Sequence, residues 1–310
     1  VQDAFKSETS LIADVVFSAA TWSEKEGTYT NSERRCNYAK KAVEPLGNTK
    51  SDFHIVIEFS KYFEGINERL FPNWSKPLDA FNEWKKVSSG RLCDYSGMSY
   101  ELIEELGGIQ WPCNEKYPKG KARLYDEEMP CPTDDGKAKL LALDWLSLSE
   151  PCNKDFPLVL NTGRTVEQWH TRTKTKTISI LNDLAPEAWI EINPVDAKKL
   201  QVTNGDRIDI SSIRGRINNI IVKESQNIRI GSIFVPFHYN EQLINTITKA
   251  EFDPKSFEPN FKQCAVQLHS LKVPNGIKFE EQEITGVLEH IVIKDELLIK
   301  NIKKEFNEIK

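Results

Sequence analysis

The densest run of chemically capable side chains is Thr162 to Thr177, TGRTVEQWHTRTKTKT. Arg164, His170, Arg172, Lys174 and Lys176 are set there against one acid, Glu167, with Thr165, Val166, Gln168 and Trp169 between them. In a chain of formal net charge −5 this is a local cationic patch. Gly163 would let backbone approach a ligand closely. Thr171, Thr173, Thr175 and Thr177 alternate with the cations. An extended stretch would put hydroxyls on one side and positive charge on the other. Hydroxyls, backbone N–H groups and Arg forks together suit a pyrophosphate. A solvated Thr/Lys edge strand, protected against edge pairing, has the same composition. The Trp169-His170 pair favours a site, because a plain edge has no use for it.

A second constellation runs from Phe234 to Cys264, FVPFHYNEQLIN, then DPKS, then NFKQCAV. Phe237 and His238 follow a strand end, and Asn245 and Lys262 are donors for an anionic or heterocyclic ligand. Ordinary loop packing accounts for these residues equally well. A third, EKEGTYTNSERR, sets Glu24, Glu26 and Glu33 beside Arg34 and Arg35. It reads as a structured loop holding an ion-pair network, with surface pairs worth at most about 1 kcal/mol each. No Ser–His–acid triad and no GxxxxGK[ST] loop is present, and the five histidines lack zinc-ligand spacing. No residue stands out as a catalytic acid, base, nucleophile or metal ligand.

The elements that must position these residues fall into two styles. LIADVVFSAA, residues 11–20, reads as a short apolar strand. Phe53 to Phe63 has helical apolar spacing, with Asp52 placed as its N-cap. Between Asn67 and Phe156 the pattern degrades. Short helices are expected near Pro77–Lys86 and Tyr100–Leu106, the second stopped by Gly107-Gly108. From Phe156 onward the signal is β: PLVLNTG, AWIEI, RIDISS, NNIIVK, SIFVPF and CAVQLHS, with turn residues between them. Pro194 opens a short helix. Many short strands with few helices point to a closed barrel. IKDELLIKNIKKEFNEIK is expected to form an amphipathic terminal helix.

The acidic balance, with a pI near 5.7, argues against nucleic-acid partners. No apolar stretch is long enough to cross a membrane. The six cysteines have no C-x-x-C spacing, so neither a disulfide scaffold nor an iron–sulfur cluster is encoded in these residues. They read as reduced thiols of a cytoplasmic protein, with a periplasmic location as the alternative. The opening VQDAFKSETS carries no export pattern and suggests a fragment or split subunit.

Taken in order, ADVVFSAATWSEKEGTYTNSERR, TGRTVEQWHTRTKT, and SIFVPF with Asn245, DPKS and KQCAV resemble the molybdopterin oxidoreductases, over roughly residues 10 to 272. Within that family the resemblance is strongest to assimilatory and periplasmic nitrate reductases. It implies a mixed α/β part followed by an all-β part: the end of an α/β domain over 1–67, a connecting region packed on other domains over 68–155, a C-terminal double-psi β-barrel over 156–272, and a polar helical tail over 273–310. The implied cofactor is bis-molybdopterin guanine dinucleotide carrying molybdenum. The positions implied to contact it are Asp14, Thr162, Gly163, Arg164, Thr165, Val166, Glu167, Gln168, Trp169, His170, Thr171, Thr173, Thr175, Phe237, His238, Asn245 and Lys262.

Two positions depart from the family pattern. Ser18 stands where proline is usual, and Arg172 where small residues or methionine are common. The resemblance places a 4Fe-4S cluster and the molybdenum ligand in an N-terminal portion, the implied partner together with an electron-donor protein or domain. It implies reduction of nitrate to nitrite. The alternatives are a formate dehydrogenase or other oxyanion reductase, or a stand-alone non-enzymatic cofactor- or partner-binding barrel. The upstream EKEGTYTNSERR segment counts against the last.

Overall fold

A computed structural model describes residues 1–142, 144 and 147–279. The chain divides into two compact units, Val1–Ala142 and Leu143–Lys310. The expected terminal helix lies outside the described residues.

In the first unit β1 (Gln2–Asp3) pairs in parallel with β2 (Phe17–Ser18), flanking the short helix α1 (Glu8–Leu11). The apolar strand expected over 11–20 therefore shrinks to two residues. Leu11, Ile12, Val15 and Val16 are exposed, because this unit offers them no buried face. EKEGTYTNSERR is a β-hairpin rather than a polar loop: β3 (Gly27–Thr30) runs antiparallel to β4 (Arg35–Ala39), which also pairs with β5 (Ile109–Gln110). Asn31 shapes the turn, its Oδ1 accepting from the amides of Glu33 and Arg35.

The expected ion-pair network is largely absent from this hairpin. Arg34 donates instead to the carbonyls of Trp111, Lys121 and Ala122, and Arg35 to that of Gly108. Glu24 caps at Thr21 and Glu26 accepts from the Tyr38 hydroxyl. Glu33 reaches Arg35 only at 4.0 Å. Carbonyls left over by turns need donors, and the guanidinium fork supplies several at once.

Helix α2 (Asp52–Ser60) is capped one residue earlier than expected, by Ser51, whose hydroxyl accepts from the His54 amide. Asp52 is instead engaged by Lys25 and Gln2. A short α3 (Ile66–Leu70) precedes α4 (Pro77–Ser88) and α5 (Tyr100–Glu105). The expected stop after α5 is present: Gly107 and Gly108 have φ of 64° and 106°, conformations that a side chain would strain. The stretch read as connecting structure contributes to a small core. Phe81, Tyr95, Met98, Tyr100, Ile103, Ile109 and Cys113 bury together with Cys36 of β4.

The second unit is a closed six-stranded barrel. Its strands are β6 (Leu158–Gly163), β7 (Trp189–Ile192), β8 (Arg207–Ser212), β9 (Gly215–Glu224), β10 (Ser232–Pro236) and β11 (Gln263–His269), in the order β10-β6-β11-β8-β9-β7. Two pairs, β6/β10 and β7/β9, are parallel. The alternation of β8 buries Ile208, Ile210 and Ser212, as period-two geometry requires. Leu158, Leu160, Ile190, Ile192, Val235, Val266 and Leu268 fill the same core. Helices α6 (Ser179–Leu184) and α7 (Pro194–Leu200) sit in the connections, the latter with Pro194 at its first position and Asn193 as cap.

A strap ties the segment before β6 to the barrel. Glu150 takes a bidentate pair of bonds from Arg214 at 2.8 and 2.7 Å, and one from the Ala265 amide at 3.1 Å. The Glu150 carbonyl accepts from Gln263. Burial alone would raise the Glu150 carboxyl. The Arg214 guanidinium and the Ala265 N–H outweigh it and hold the group below its ordinary value.

Candidate functional site

Strands β6 and β10 run in the same direction, with Val235 opposite Thr162 and Pro236 opposite Gly163. The loops that leave their C-terminal ends, 164–177 and 237–247, therefore start side by side. The amide of Phe237 donates to the Gly163 carbonyl at 3.0 Å. Strand β11 is antiparallel to β6, so its first residues arrive at the same end. The buried Thr162 hydroxyl donates to the Phe261 carbonyl at 2.6 Å, and its amide to the Lys262 carbonyl at 3.4 Å. Two of the three stretches singled out in the sequence thus converge at one end of the barrel. Ligand sites commonly sit at the mouths of β-barrels.

The loop after β6 is not the extended strand that the Thr/cation alternation suggested. His170 and Arg172 have φ of 44° and 64°, and a 3-10 turn covers Thr175–Thr177. Left-handed residues break the period of two, so hydroxyls and cations are not sorted onto opposite sides. The Thr175 hydroxyl instead donates to the buried Gln168 amide oxygen at 2.6 Å and accepts from the Trp169 amide at 3.2 Å. Thr171 and Thr173 bond each other at 3.1 Å.

Gly163 also has a packing reason to carry no side chain. A Cβ there would lie 2.7 Å from Cε2 of Phe234, so the missing side chain makes room for a neighbouring ring. Gly163→Ala is expected to lower stability by about 1–3 kcal/mol through overpacking at this strand end. Denaturant unfolding of the full chain checks it.

The loop has an exposed rim and a buried floor. On the rim, the Arg164 guanidinium lies 3.1 Å from Nε2 of His170, and the exposed Trp169 ring packs edge-on to His170 at 4.6 Å. Val166 is fully open to solvent. Lys262 lies 5.7 and 5.8 Å from the rings of Phe237 and Phe261. On the floor, Arg172 stacks over the Tyr239 ring at 4.5 Å and donates to Asn182 at 3.0 Å. His238 is only 3% exposed, its ring 4.7 Å from that of Tyr239. Burial pushes its pKa down to about 4, with the Arg172 charge adding and Glu167 opposing.

In these two loops five side-chain atoms are buried without a hydrogen-bond partner: Thr165 Oγ1, Glu167 Oε2, Arg172 Nε, and both ring nitrogens of His238. Buried polar groups are ordinarily paired, so these atoms call for a partner such as an ordered water or a ligand group. Together, the rim cations and the unpaired polar atoms suit an anionic ligand.

Asn245 lies in the 3-10 turn Ile244–Thr246 with its side chain exposed. Asp14 lies exposed in the other unit. Tyr239 and Asn182, which fix Arg172, were not expected. Their only signal was the position of Tyr239 next to His238. A cavity of about 460 Å³ in the first unit, lined among others by Lys25, Lys50, His54, Glu58 and Lys76, is a separate feature. Two of its lysines are already paired, Lys25 with Asp52 and Lys50 with Glu58. Among the described residues no cluster of His, Cys, Asp or Glu can hold a metal ion, and no helix is long and apolar enough to cross a membrane.

Comparison with known proteins agrees with this geometry. Residues 158–265 match the family model of the molydopterin dinucleotide binding domain, and residues 1–62 that of molybdopterin oxidoreductase. The alpha subunit of the F420-dependent formate dehydrogenase of Methanocaldococcus jannaschii is 36% identical over 271 residues, covering 87% of this chain and 39% of that protein. The assimilatory nitrate reductase catalytic subunit of Bacillus subtilis is 32% identical over 267 residues, covering 86% of this chain and 37% of that protein. The chain thus spans well under half the length of these relatives. Acetylene hydratase from Pelobacter acetylenicus shares the fold, with a TM-score of 0.58 at 19% identity over 84% of this chain and 38% of that one.

Proposed function

The chain belongs to the molybdopterin oxidoreductase family, and from that premise we propose that its barrel grips the dinucleotide of a molybdenum cofactor within a two-electron oxidoreductase. The observation that carries this reading is the convergence of the rim cations and the unpaired floor at the shared end of β6 and β10. In this assignment residues 156–272 are a double-psi barrel, supported by the two parallel strand pairs, and residues 1–67 close an α/β domain.

Arg164 and Lys262 would hold the pyrophosphate, and Trp169 would offer a flat face to a ring. When bound, the molybdenum group supplies the redox chemistry, and the protein supplies binding, orientation and electrostatics. The cofactor is bis-molybdopterin guanine dinucleotide on this reading. The metal ligand and a 4Fe-4S cluster come from a further portion of the enzyme, and an electron-exchanging protein completes the assembly. A cytoplasmic location belongs to the same reading, supported by six free cysteines.

For the substrate, formate oxidation takes first place over the nitrate reduction that the sequence motifs suggested. The support is the 36% identity to a formate dehydrogenase subunit, against 32% to a nitrate reductase. Nitrate reduction stands as the second reading, supported by relatives of that kind over the same residues. Assaying the whole enzyme with formate plus oxidised viologen, and with nitrate plus reduced viologen, separates them.

Arg164→Ala in the whole enzyme tests the grip itself. A charge-assisted contact is worth on the order of 1.5–3 kcal/mol. Molybdenum and guanine content should therefore fall, with affinity down roughly 10- to 100-fold. Wild-type content of both would overturn the assignment of Arg164.

A further inference from the structure

The small core of the first unit is rich in side chains that give up electrons. Cys36, Met98 and Cys113 are fully buried there beside Tyr95 and Tyr100, with Tyr38 packed against them. Oxidation of a buried thiol or thioether puts polar atoms into a packed core and is hard to reverse. Two of the phenols stack. Tyr38 of β4 and Tyr100 of α5 have ring centroids 4.1 Å apart and planes inclined by 28°. They differ in where the phenolic proton can go. The Tyr38 hydroxyl donates to Glu26 Oε2 at 3.0 Å. The hairpin register makes this pair: Thr28 lies opposite Tyr38, so Glu26 is its diagonal neighbour on the same face. The Tyr100 hydroxyl is buried with no hydrogen-bond partner. Burial raises the pKa of both phenols, and Glu26 adds to the rise in each case.

We propose that Tyr38 and Glu26 form a proton-coupled redox pair that intercepts one-electron oxidants and spares the sulfur groups of this core. Tyr38 gives one electron to a diffusible oxidant of the carbonate-radical class, which is reduced to its anion. In the same step the phenolic proton crosses the hydrogen bond to Glu26. The products are a neutral tyrosyl radical and a protonated Glu26, so no cation is stranded in a partly buried place. An electron vacancy that starts on Tyr100 passes to the stacked Tyr38. Tyr100 has no acceptor for its proton and would otherwise remain a buried cation, which is costly. The carboxylates of Glu26, Glu104 and Glu101 all act on Tyr38, and their negative field favours loss of an electron from it. A small reductant of the ascorbate class returns the electron, Glu26 returns the proton, and the pair is reset.

The test oxidises the full chain with photogenerated tris(bipyridine)ruthenium(III), for the wild type, Tyr38→Phe and Glu26→Gln. Unchanged melting temperatures check that the variants fold. Electron paramagnetic resonance and transient absorption follow the tyrosyl radical. Exposed tyrosines such as Tyr62 also react, so the difference between wild type and Tyr38→Phe isolates the Tyr38 signal. That signal should be present in the wild type and lost in Tyr38→Phe. Glu26→Gln keeps a hydrogen-bond acceptor but cannot take the proton. It should slow the appearance of the same signal by about 100-fold, the effect of losing a positioned base. Alkylation and mass spectrometry then count the surviving thiols of Cys36 and Cys113, whose loss per oxidising equivalent should rise several-fold in both variants. No difference signal between wild type and Tyr38→Phe, or a rate indifferent to Glu26→Gln, overturns the pair and is the result that an ordinary aromatic core would give. Thiol survival equal in all three proteins overturns the protective task. Should Tyr38→Phe melt early, the rate and thiol count of Glu26→Gln decide alone.

Discussion

Acidification from pH 7 to pH 4 is expected to cost the barrel unit about 3 kcal/mol through His238 alone. The imidazole is buried, its nitrogens have no partner to share a charge with, and Arg172 is near. Its pKa falls from an ordinary 6.5 to about 4. Above pH 6.5 the group is neutral in both folded and unfolded chains and adds no pH dependence. Between pH 6.5 and 4 the unfolded chain takes up a proton that the folded one refuses, so stability falls as pH falls. Below pH 4 both forms are protonated and the loss stops growing. Urea unfolding of the full chain at pH 7 and pH 4, compared with His238→Phe, isolates the effect. The variant should lose about 3 kcal/mol less than wild type over this window. Parallel profiles would mean that His238 finds a partner in solution or ionises freely.

Removing the strap should be of similar size. Glu150→Ala strips Arg214 of a bidentate partner and leaves the Ala265 amide unpaired, at a site where both side chains are at most a quarter exposed. Breaking one half of a mostly buried pair leaves the other half uncompensated, so a loss of about 2–3 kcal/mol is expected, with Glu150→Gln intermediate. Because the Glu150 carboxyl is held below its ordinary value, its contribution is complete above the unfolded pKa. It is lost as pH falls through the folded one. Thermal melts at pH 7 and at pH 3 should therefore show the variant's deficit shrinking in acid. A deficit independent of pH would show that packing rather than charge holds the strap.

The barrel strands were legible because their burial alternates or runs continuous, as in β8 and β6, and because Gly, Asn and Pro punctuate them. The same period misled at Thr171–Thr177, where composition imitates a strand but two left-handed residues turn the chain. Arg34 and Arg35 looked like partners for nearby acids. Their true partners are carbonyls up to 88 residues away, which no local pattern encodes. Residues 11–20 carry strand-like composition, but only Phe17 and Ser18 form a strand, paired with the two-residue β1. The rim cations were readable as charges in sequence. The floor was not, since an unpaired buried atom is a property of packing. His238 could be named from its place after a strand, but its solitude needed coordinates.

The bond between Thr162 and Phe261 closes a sequence separation of 99 residues. It joins the end of β6 to the segment that enters β11, the last of the described strands, and contacts of such range form late because a long loop must be closed first. The grip therefore has no early, partly built form. Until β11 docks, the loop after Gly163 has no neighbour to hold its far side. On the proposed reading, ligand binding is expected to follow the docking of β11 rather than precede it.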